Sequence, residues 1–304
     1  MNTAHAYFEG KIVPFAEAKI SIATHGLNYG TAAFGGLRGY WNEAQKKLFV
    51  FRPLDHYRRF LHSSKMLCMD LPHTPESLTQ VTLDLLRADN WQQDVYIRPL
   101  CYKADAGIGV RLHDLRDEVS IFATAFGAYG KNEDGAHVTI SSWRRIDDNV
   151  IPARGKISGA YANSALIKTD AIRSGFDEAL VLDNNGHISE GTAMNVFMVR
   201  DGVLITPPVT DNILEGITRR TVLELARAEL GLPVVERSID RTETYICDEL
   251  FLTGTAAQVT VVTKVDYRPV GSGKPGEVTL KLRKLFDDVV HGRVEKYAHW
   301  NVGV

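Results

Sequence analysis

Residues 151–171 read IPARGKISGAYANSALIKTDA and place a lysine, Lys156, among the small residues Gly155, Ser158, Gly159 and Ala160. A partly buried lysine keeps some of its amine neutral and can form a Schiff base with a carbonyl compound. Small neighbours would let a flat ligand come close to the backbone. For this stretch alone a solvated loop lysine is the simpler interpretation, so carbonyl chemistry at Lys156 is a hypothesis that needs support from other segments.

Two further segments supply support for that hypothesis. The stretch DNNGHISEGTAMNVFMV at 183–199 puts Glu190 in a turn between two predicted strands, where a carboxylate could keep a pyridine nitrogen protonated. The stretch LEGITRRTV at 214–222 puts Gly216, Ile217 and Thr218 at the start of a predicted helix, where free N–H groups and the helix dipole attract phosphate. Glutamates in turns usually lie at the surface and helix starts are common, so each signal is weak by itself.

A small hydroxyl-bearing turn and an arginine complete the pattern. Thr253, Gly254 and Thr255 follow a predicted strand and could donate further hydrogen bonds to a phosphate or carboxylate. An arginine in the first long helix could supply a positive charge, but helical periodicity does not decide between Arg58 and Arg59. A chance match to one of these features is common. A chance match to all four, namely the lysine, the glutamate, the helix start and this turn, is far rarer.

The chain resembles the fold-type IV pyridoxal-phosphate enzymes, and among them most of all the branched-chain amino acid aminotransferases. The resemblance runs over nearly the whole chain in the family's order. Its stretches are HGLNYGTAAFGGLRGY at 25–40, FRPLDHYRRFLHSSKML at 51–67, YIRPL at 96–100, SSWRR at 141–145, and the four segments around Lys156, Glu190, Gly216 and Thr255.

The resemblance implies an α/β fold of the α+β type with two domains and the cofactor in the cleft between them. We expect a small N-terminal domain at 1–126 and a large cofactor-binding domain at 136–304. The loop expected to join them, 127–135, is rich in Gly, Asn and Asp, which is typical of a connection.

The cofactor that the resemblance implies is pyridoxal 5′-phosphate. Lys156 is then expected to bind it covalently and to move the substrate's α-proton. Tyr161 is expected at its phenolic oxygen and Glu190 at its pyridine nitrogen. The residues implied to hold the phosphate are Arg59, Ile217, Thr218 and Thr255, a set that selects Arg59 over Arg58.

The implied reaction is reversible amino transfer between L-leucine, L-isoleucine or L-valine and 2-oxoglutarate. Arg98 is available for the second carboxylate of glutamate, and the turn at 107–110 is expected to meet the α-carboxylate. Because each pocket in such enzymes borrows a loop from its neighbour, we expect a homodimer or a larger even assembly. The residues implied to contact substrate are Tyr29, Phe34, Gly36, Arg38, Tyr96, Arg98, Val110, Thr255 and Ala256.

Two departures from the family pattern lie at the expected pocket mouth. Many relatives read Phe-Glu-Gly where this chain has Phe34, Gly35 and Gly36, and RLHDLRDE at 111–118 replaces a frequent Asn-Pro. Arg111 could serve a different carboxylate. A D-amino acid aminotransferase, an (R)-selective amine aminotransferase and an aminodeoxychorismate lyase therefore stay open as alternatives of the same fold.

Charge and hydropathy argue against nucleic-acid binding and against a membrane protein. The formal net charge is −2, without the basic run that nucleic acid requires, and no run of about 18 apolar residues predicts a membrane span. The three cysteines are far apart in apolar surroundings and are expected to be reduced core residues. From all these features together we expect a cytoplasmic protein without nucleic-acid or membrane partners.

Two rival classes are considered against these expectations. GSGKPG at 271–276 matches a dinucleotide fingerprint and would suit a nicotinamide-dependent oxidoreductase. That fingerprint needs a further parallel strand, whereas this chain is expected to end within its last helix, so a flexible turn is the preferred interpretation. A non-enzymatic binding protein that has kept the fold is the second rival.

Overall fold

The computed structural model of the chain describes residues 3–127 and 134–304. Most of the predicted connection at 127–135, namely 128–133, lies outside the described residues. The described chain groups into two compact units. Among the described residues, the first comprises 3–127, 155–160 and 288–304, and the second comprises 134–154 and 161–287. The predicted division into 1–126 and 136–304 stays a prediction.

Groups of strands are separated by single helices or helix pairs along the chain. The strands of the N-terminal part are β1 His5–Phe8, β2 Lys11–Pro14, β3 Ala32–Phe34, β4 Leu37–Asn42, β5 Lys47–Phe51, β6 Val95–Lys103 and β7 Asp117–Ala125. The later strands are β8 Ala136–Arg144, β9 Glu178–Leu182, β10 Ile188–Gly191, β11 Asn195–Arg200, β12 Val203–Thr206, β13 Val234–Glu236, β14 Glu249–Gly254, β15 Gln258–Val265, β16 Arg268–Pro269 and β17 Asn301–Gly303. The α-helices are α1 His25–Tyr29, α2 Pro53–Met66, α3 Pro75–Asp89, α4 Tyr161–Arg173, α5 Ile217–Glu229 and α6 Glu277–Val290.

Each unit is built on one sheet. Within the described residues, the first unit has an eight-stranded sheet in the order β17-β5-β4-β6-β7-β1-β2, with β3 pairing to β6, and its strand pairs are antiparallel. The second has a nine-stranded sheet in the order β10-β9-β8-β15-β14-β11-β12-β13, with β16 pairing to β15. In it β8 runs parallel to both β9 and β15. The expected α+β character is confirmed.

Local sequence signals explain where the helices that carry predicted site residues begin and end. Pro53 occupies the first turn of α2 and Asp55 lies in that turn, where a carboxylate suits the helix dipole. In α5, Val222, Leu225 and Ala226 are buried on one face. The chain leaves α5 at Gly231, whose φ of +60° is the left-handed conformation in which glycine ends helices.

Two sequence-based predictions about the fold are wrong. The chain does not end in α6, because the helix stops at Val290, Gly292 takes a φ of +69°, and β17 then pairs antiparallel with β5. Cys68 is not a core residue, because it follows the end of α2 in a left-handed conformation and is exposed, whereas Cys101 and Cys247 are buried.

The last strand also bears on the dinucleotide fingerprint. Residues 271–276 form a turn before α6 as expected, with Gly271 and Gly273 at positive φ. The strand that follows α6 is β17, whose partner β5 is antiparallel to it. A dinucleotide-binding unit needs a parallel strand at that place, so the turn interpretation is the one that fits. None of the described helices is both long enough and apolar enough to cross a bilayer.

Candidate active site

The backbone of Lys156 is held at both ends within the first unit. Its N–H donates to Ser63 Oγ of α2 at 3.1 Å, and its carbonyl accepts from the N–H of Phe34 in β3 at 2.9 Å. The half-buried side chain carries its amine 4.9 Å from the centroid of the Phe34 ring. The lysine therefore starts from a fixed backbone and lies beside an aromatic ring.

The small residues around Lys156 have a packing role in addition to the one expected from the sequence. Gly159 lies against Gly30, so closely that a Cβ on Gly30 would stand 2.8 Å from the Gly159 Cα, and the two are joined by an N–H to carbonyl bond of 3.3 Å. A Cβ on Gly155 would meet Met66 Sδ at 3.0 Å. These glycines let the lysine segment pack onto α2 and onto the segment before β3.

The structure distinguishes the two arginines that periodicity left open. The Arg58 side chain is 55% exposed and pairs with Asp55 at 3.2 Å, whereas Arg59 is half-buried. His56, one turn earlier on α2, is buried. Burial and the nearby charges of Arg59, Arg52 and Lys156 hold the pKa of His56 well below its usual value of 6.5, although Asp55 opposes them. Arg59 and Lys156 thus create a positive environment in which this histidine stays neutral.

Aromatic and cationic side chains meet on the first sheet. Arg98 of β6 stacks on the Phe34 ring at 4.7 Å and on the Tyr96 ring at 5.2 Å, and its Nη2 donates to the Tyr96 hydroxyl at 3.2 Å. Gly36 faces the same hydroxyl, which a Cβ at that position would overlap. The predicted substrate residues Phe34, Gly36, Tyr96 and Arg98 are therefore brought together.

Arg38 was expected to line the substrate pocket, but it is almost fully buried, with only 3% of its surface exposed. Its Nη2 donates to Asp94 Oδ2 at 3.1 Å and to the Phe126 carbonyl at 3.2 Å, and its guanidinium lies against the Tyr40 and Phe126 rings. Among the described residues, no acceptor satisfies the buried Nε and Nη1 of Arg38 or the buried Nε of Arg98. Buried guanidinium donors without acceptors suit an anionic ligand.

The loop at 107–110 is held at its third residue. His25 Nε2 lies 2.9 Å from the Gly109 carbonyl, and the Gly109 N–H donates to the Tyr29 hydroxyl at 3.1 Å. The other ring nitrogen of His25 lies 2.7 Å from Thr31 Oγ1. The neighbouring Val110 is 89% exposed. A pocket of about 430 Å³ lies against the loop, lined in part by His25 and Arg111.

In the second unit Glu190 is enclosed by polar partners. It is 3% exposed and lies on β10, where the pairing register with β9 shifts. Its Oε1 is 2.8 Å from the guanidinium of Arg145. Its Oε2 accepts from Asn195 Nδ2 at 2.9 Å and from the Leu214 N–H at 3.1 Å. Arg145 and Asn195 were not among the site residues expected from the sequence, although both lie within the quoted motif stretches.

The segment before α5 ties this carboxylate to the helix start. Asn195 Nδ2 also donates to the Leu214 carbonyl at 2.9 Å, and Arg145 Nε donates to the Asn212 carbonyl at 3.1 Å. Ser189 Oγ, next to Glu190, donates to the Asp211 carbonyl at 2.7 Å. Residues 211–216 are thus fixed by the same groups that fix Glu190.

The start of α5 offers backbone donors to an anion. Its N-cap Gly216 makes no side-chain capping bond, and the first intrahelical bond runs from the Arg220 N–H to the Gly216 carbonyl. The N–H groups of Ile217 and Thr218 therefore have no acceptor within the helix, and both residues are buried. Thr255 and Ala256 are half-buried in the turn between β14 and β15, and Tyr161 is half-buried at the start of α4.

The residues present fit the expected cofactor. A lysine beside an aromatic ring, a buried carboxylate held by an arginine, and a thirteen-residue helix with an uncapped, buried start are the donor set that a phosphorylated pyridine aldehyde requires. The buried Thr253 Oγ1, next to the Gly254-Thr255 turn, also has no acceptor or donor among the described residues. An unpartnered buried hydroxyl at this place suits a further anionic group.

Comparison with known proteins agrees with these observations. Residues 33–265 match the family model described as amino-transferase class IV. The chain is 45% identical over 295 residues to the "Probable branched-chain-amino-acid aminotransferase" of Aquifex aeolicus, covering 97% of this chain and 95% of that protein. It is 40% identical to the branched-chain amino acid aminotransferase from Thermobaculum terrenum, whose structure was solved in its PLP (holo) form. That structure superposes with a TM-score of 0.94, and the match covers 99% of this chain and 98% of that chain. It is 38% identical to the branched-chain aminotransferase of the archaeon Thermoproteus uzoniensis, solved with norvaline, with a TM-score of 0.95 and 99% of both chains covered.

Proposed function

The chain belongs to the class IV aminotransferases, and on that premise we propose that it transfers amino groups reversibly between L-leucine, L-isoleucine or L-valine and 2-oxoglutarate. Its cofactor is pyridoxal 5′-phosphate. The arrangement on the first sheet carries the proposal most directly. Phe34 and Tyr96 offer apolar surface to a branched side chain, and Arg98 and Arg38 keep buried donors for a carboxylate.

The chemistry that the cofactor supplies when bound is a carbonyl group that takes up the amino group and a ring that delocalises an electron pair. The chain's own residues do the rest. Lys156 takes the proton from the substrate's α-carbon and returns it on the other side of the reaction, as a general base and then a general acid. Glu190 holds a positive charge at the ring nitrogen. The phosphate is held by Arg59, Ile217, Thr218 and Thr255, and Tyr161 hydrogen-bonds the phenolic oxygen.

Two parts of the first unit and one turn of the second are assigned to substrate recognition. The Gly107–Val110 loop, shaped by His25 and Tyr29, meets the α-carboxylate. Phe34, Gly36, Tyr96 and Arg98 meet the variable part of the substrate, which is either an apolar branch or the second carboxylate of glutamate. Thr255 and Ala256 of the β14–β15 turn complete the set.

We also propose that the enzyme is a homodimer or a larger even assembly in which the loop serves the neighbouring subunit. Ile108 and Val110 at its tip are 101% and 89% exposed, and Leu27, close in sequence to Tyr29, is 60% exposed. Exposed apolar side chains on a loop fixed in position are typical of an interface. A cytoplasmic location belongs to the same proposal, since the free thiols Cys101 and Cys247 suit a reducing compartment.

A half-reaction tests the proposed function. The purified protein, loaded with pyridoxal 5′-phosphate, is mixed with excess L-leucine without any oxo acid, and its visible spectrum is followed. We expect the yellow band to convert to the pyridoxamine phosphate form, and Lys156→Ala to abolish the conversion. A yellow protein that ignores L-leucine but reacts with D-alanine or an (R)-amine would replace the proposed substrate class. A protein that takes up no cofactor would contradict the proposal altogether.

A further inference from the structure

We propose that Arg145 is a positioning residue that keeps Glu190 ionised, so that a proton stays on the pyridine nitrogen of the bound cofactor. This inference rests on the proposed function, because it concerns the role given there to Glu190. It assigns a task to a side chain in the SSWRR stretch, which the sequence pattern singled out without giving it one.

The geometry of the pair supports that task. Arg145 Nη2 is 2.8 Å from Glu190 Oε1, and the two side chains are 12% and 4% exposed. In a buried position, an opposite charge at this distance strongly favours the ionised form of a carboxyl group. The Asn195 and Leu214 N–H bonds to Oε2 favour the same form.

The attachment of Arg145 explains why it can hold this position. Its backbone N–H donates to the Leu182 carbonyl of β9 at 2.9 Å, and its Nε donates to the Asn212 carbonyl at 3.1 Å. The residue is therefore fixed at its backbone and again at Nε, apart from its contact with Glu190. The planar fork of arginine suits such an arrangement better than the single ammonium of lysine.

The consequence for the reaction follows from proton competition. A carboxylate and a pyridine nitrogen that share one proton divide it according to their basicity. The Arg145 charge beside Glu190 favours the ionised carboxylate, so the pyridine nitrogen of the bound cofactor would keep the proton. Without Arg145, the buried carboxylate becomes the stronger base and takes the proton.

The neighbouring arginine provides a matched control. Arg144 precedes Arg145 in the same stretch, is exposed, and makes a bond of 3.4 Å from Nη1 to the Asp183 carbonyl. Removing it deletes an equal charge from the same segment without touching Glu190. A difference between the two arginines therefore reports the ion pair rather than general loss of charge.

The test reads the proton directly. The apoprotein is reconstituted with pyridoxal 5′-phosphate labelled with ¹⁵N in its ring, and the ¹⁵N resonance is recorded for the wild type, Arg145→Met, Arg145→Lys and Arg144→Met. We expect the pyridinium position in the wild type and in Arg144→Met, a shift toward neutral pyridine in Arg145→Met, and partial recovery in Arg145→Lys, which restores the charge but not the fork. The rate constant for L-leucine should fall about 100-fold in Arg145→Met, as for loss of a positioned proton. An unmoved resonance in Arg145→Met would overturn the inference.

A second comparison covers the case in which Arg145→Met does not fold. Glu190→Gln keeps Arg145 but cannot take up the proton, and adding Arg145→Met to it removes both charges together. If Arg145 acts through Glu190, the second change leaves the ¹⁵N position of Glu190→Gln where it was, and a further shift would contradict the inference. A wild type with the pyridinium resonance but no reaction with L-leucine would count against the proposed substrate class only.

Discussion

Two charged groups of the molecule, Glu190 in the second unit and Arg98 in the first, are held in opposite ways. Both oxygens of Glu190 have partners, which come from three residues and are themselves fixed by neighbouring backbone. Arg98 rests on two aromatic rings and one hydroxyl, and its Nε has no acceptor among the described residues. This difference matches the roles proposed for them: Glu190 would meet the same cofactor in every turnover and is fully enclosed, whereas Arg98 would meet alternating substrates and keeps an open donor.

This contrast predicts two classes of variant. If Lys156, Glu190 and the start of α5 serve the cofactor as proposed, changes around them should impair every substrate equally. Changes around Arg98 and Tyr96 should separate glutamate from leucine, because only one of these substrates presents a second carboxylate. The relevant quantity is therefore the pair of rate constants for the L-leucine and L-glutamate half-reactions.

Lys156→Ala should have the largest effect. Without its amine the α-proton has no carrier, so both half-reactions should slow by at least about 10⁴-fold, the upper range for general acid–base catalysis. Lys65→Ala, at an exposed position on α2, is the control and should leave both rates unchanged. Stopped-flow absorbance measures both rates, and a Lys156→Ala protein that still converts L-leucine rapidly would refute the assigned role.

Gly216→Ala should weaken cofactor binding by about 10- to 100-fold. A Cβ at Gly216 would overlap Asn195 Oδ1, and relieving such overpacking typically costs about 1–3 kcal/mol. Asn195 would then shift relative to Glu190 and to the start of α5. Gly127→Ala, whose Cβ would meet open space, is the control. Titration of the apoprotein with pyridoxal 5′-phosphate gives the affinity, and unchanged affinity in Gly216→Ala would show that this cradle does not serve the phosphate.

Gly36→Ala should separate the two substrates by about tenfold. The added Cβ would overlap the Tyr96 hydroxyl. Moving Tyr96 would disturb the hydrogen bond that its hydroxyl accepts from Arg98, at a cost of about 1.4 kcal/mol. KM for L-glutamate should rise while KM for L-leucine changes little. Equal increases in both would mean that this side of the first sheet does not discriminate between them.

The smallest expected effect is that of His56 on how the free energy of unfolding depends on pH. The unfolded chain protonates this histidine near its usual pKa of 6.5, whereas the folded state resists protonation because burial, Arg59 and Lys156 lower its pKa. Its contribution to stability is therefore complete above about pH 6.5 and declines as the pH falls below it, by up to about 1.4 kcal/mol per pH unit. Urea unfolding at pH 7 and 5.5 should show a smaller loss for His56→Gln than for the wild type. His62→Gln, at an exposed position of the same helix, should behave as the wild type does.

Several element boundaries coincide with short sequence signals, which depend only on neighbouring residues. Pro53 marks the start of α2, Gly231 the end of α5, and the Glu-Gly turn separates β1 from β2. The pairing of β17 with β5 could not be predicted, since the two strands are about 250 residues apart in sequence and β17 is only three residues long.

The roles of individual side chains could be predicted only where they belong to a motif of the family. Arg59 was separated from Arg58 by resemblance, and burial now gives a physical difference between them. Arg145 and His25 could not be found in this way, because a buried ion pair and a ring bonded to a distant carbonyl depend on long-range contacts, 45 and 84 residues apart in sequence. Arg38 was expected at the substrate, and its depth became visible only with Asp94, Tyr40 and Phe126 in place.

One measurement tests the contrast between the enclosed and the open group most directly. The rate constants for the L-glutamate and L-leucine half-reactions are compared in Arg98→Met and the wild type, with Arg58→Met as the exposed-arginine control. We predict that Arg98→Met loses about 100-fold with L-glutamate, the worth of a charge-assisted bond of up to about 3 kcal/mol, and less than about threefold with L-leucine. Equal losses with both substrates would contradict the account, because Arg98 would then serve the cofactor or the fold rather than the second carboxylate.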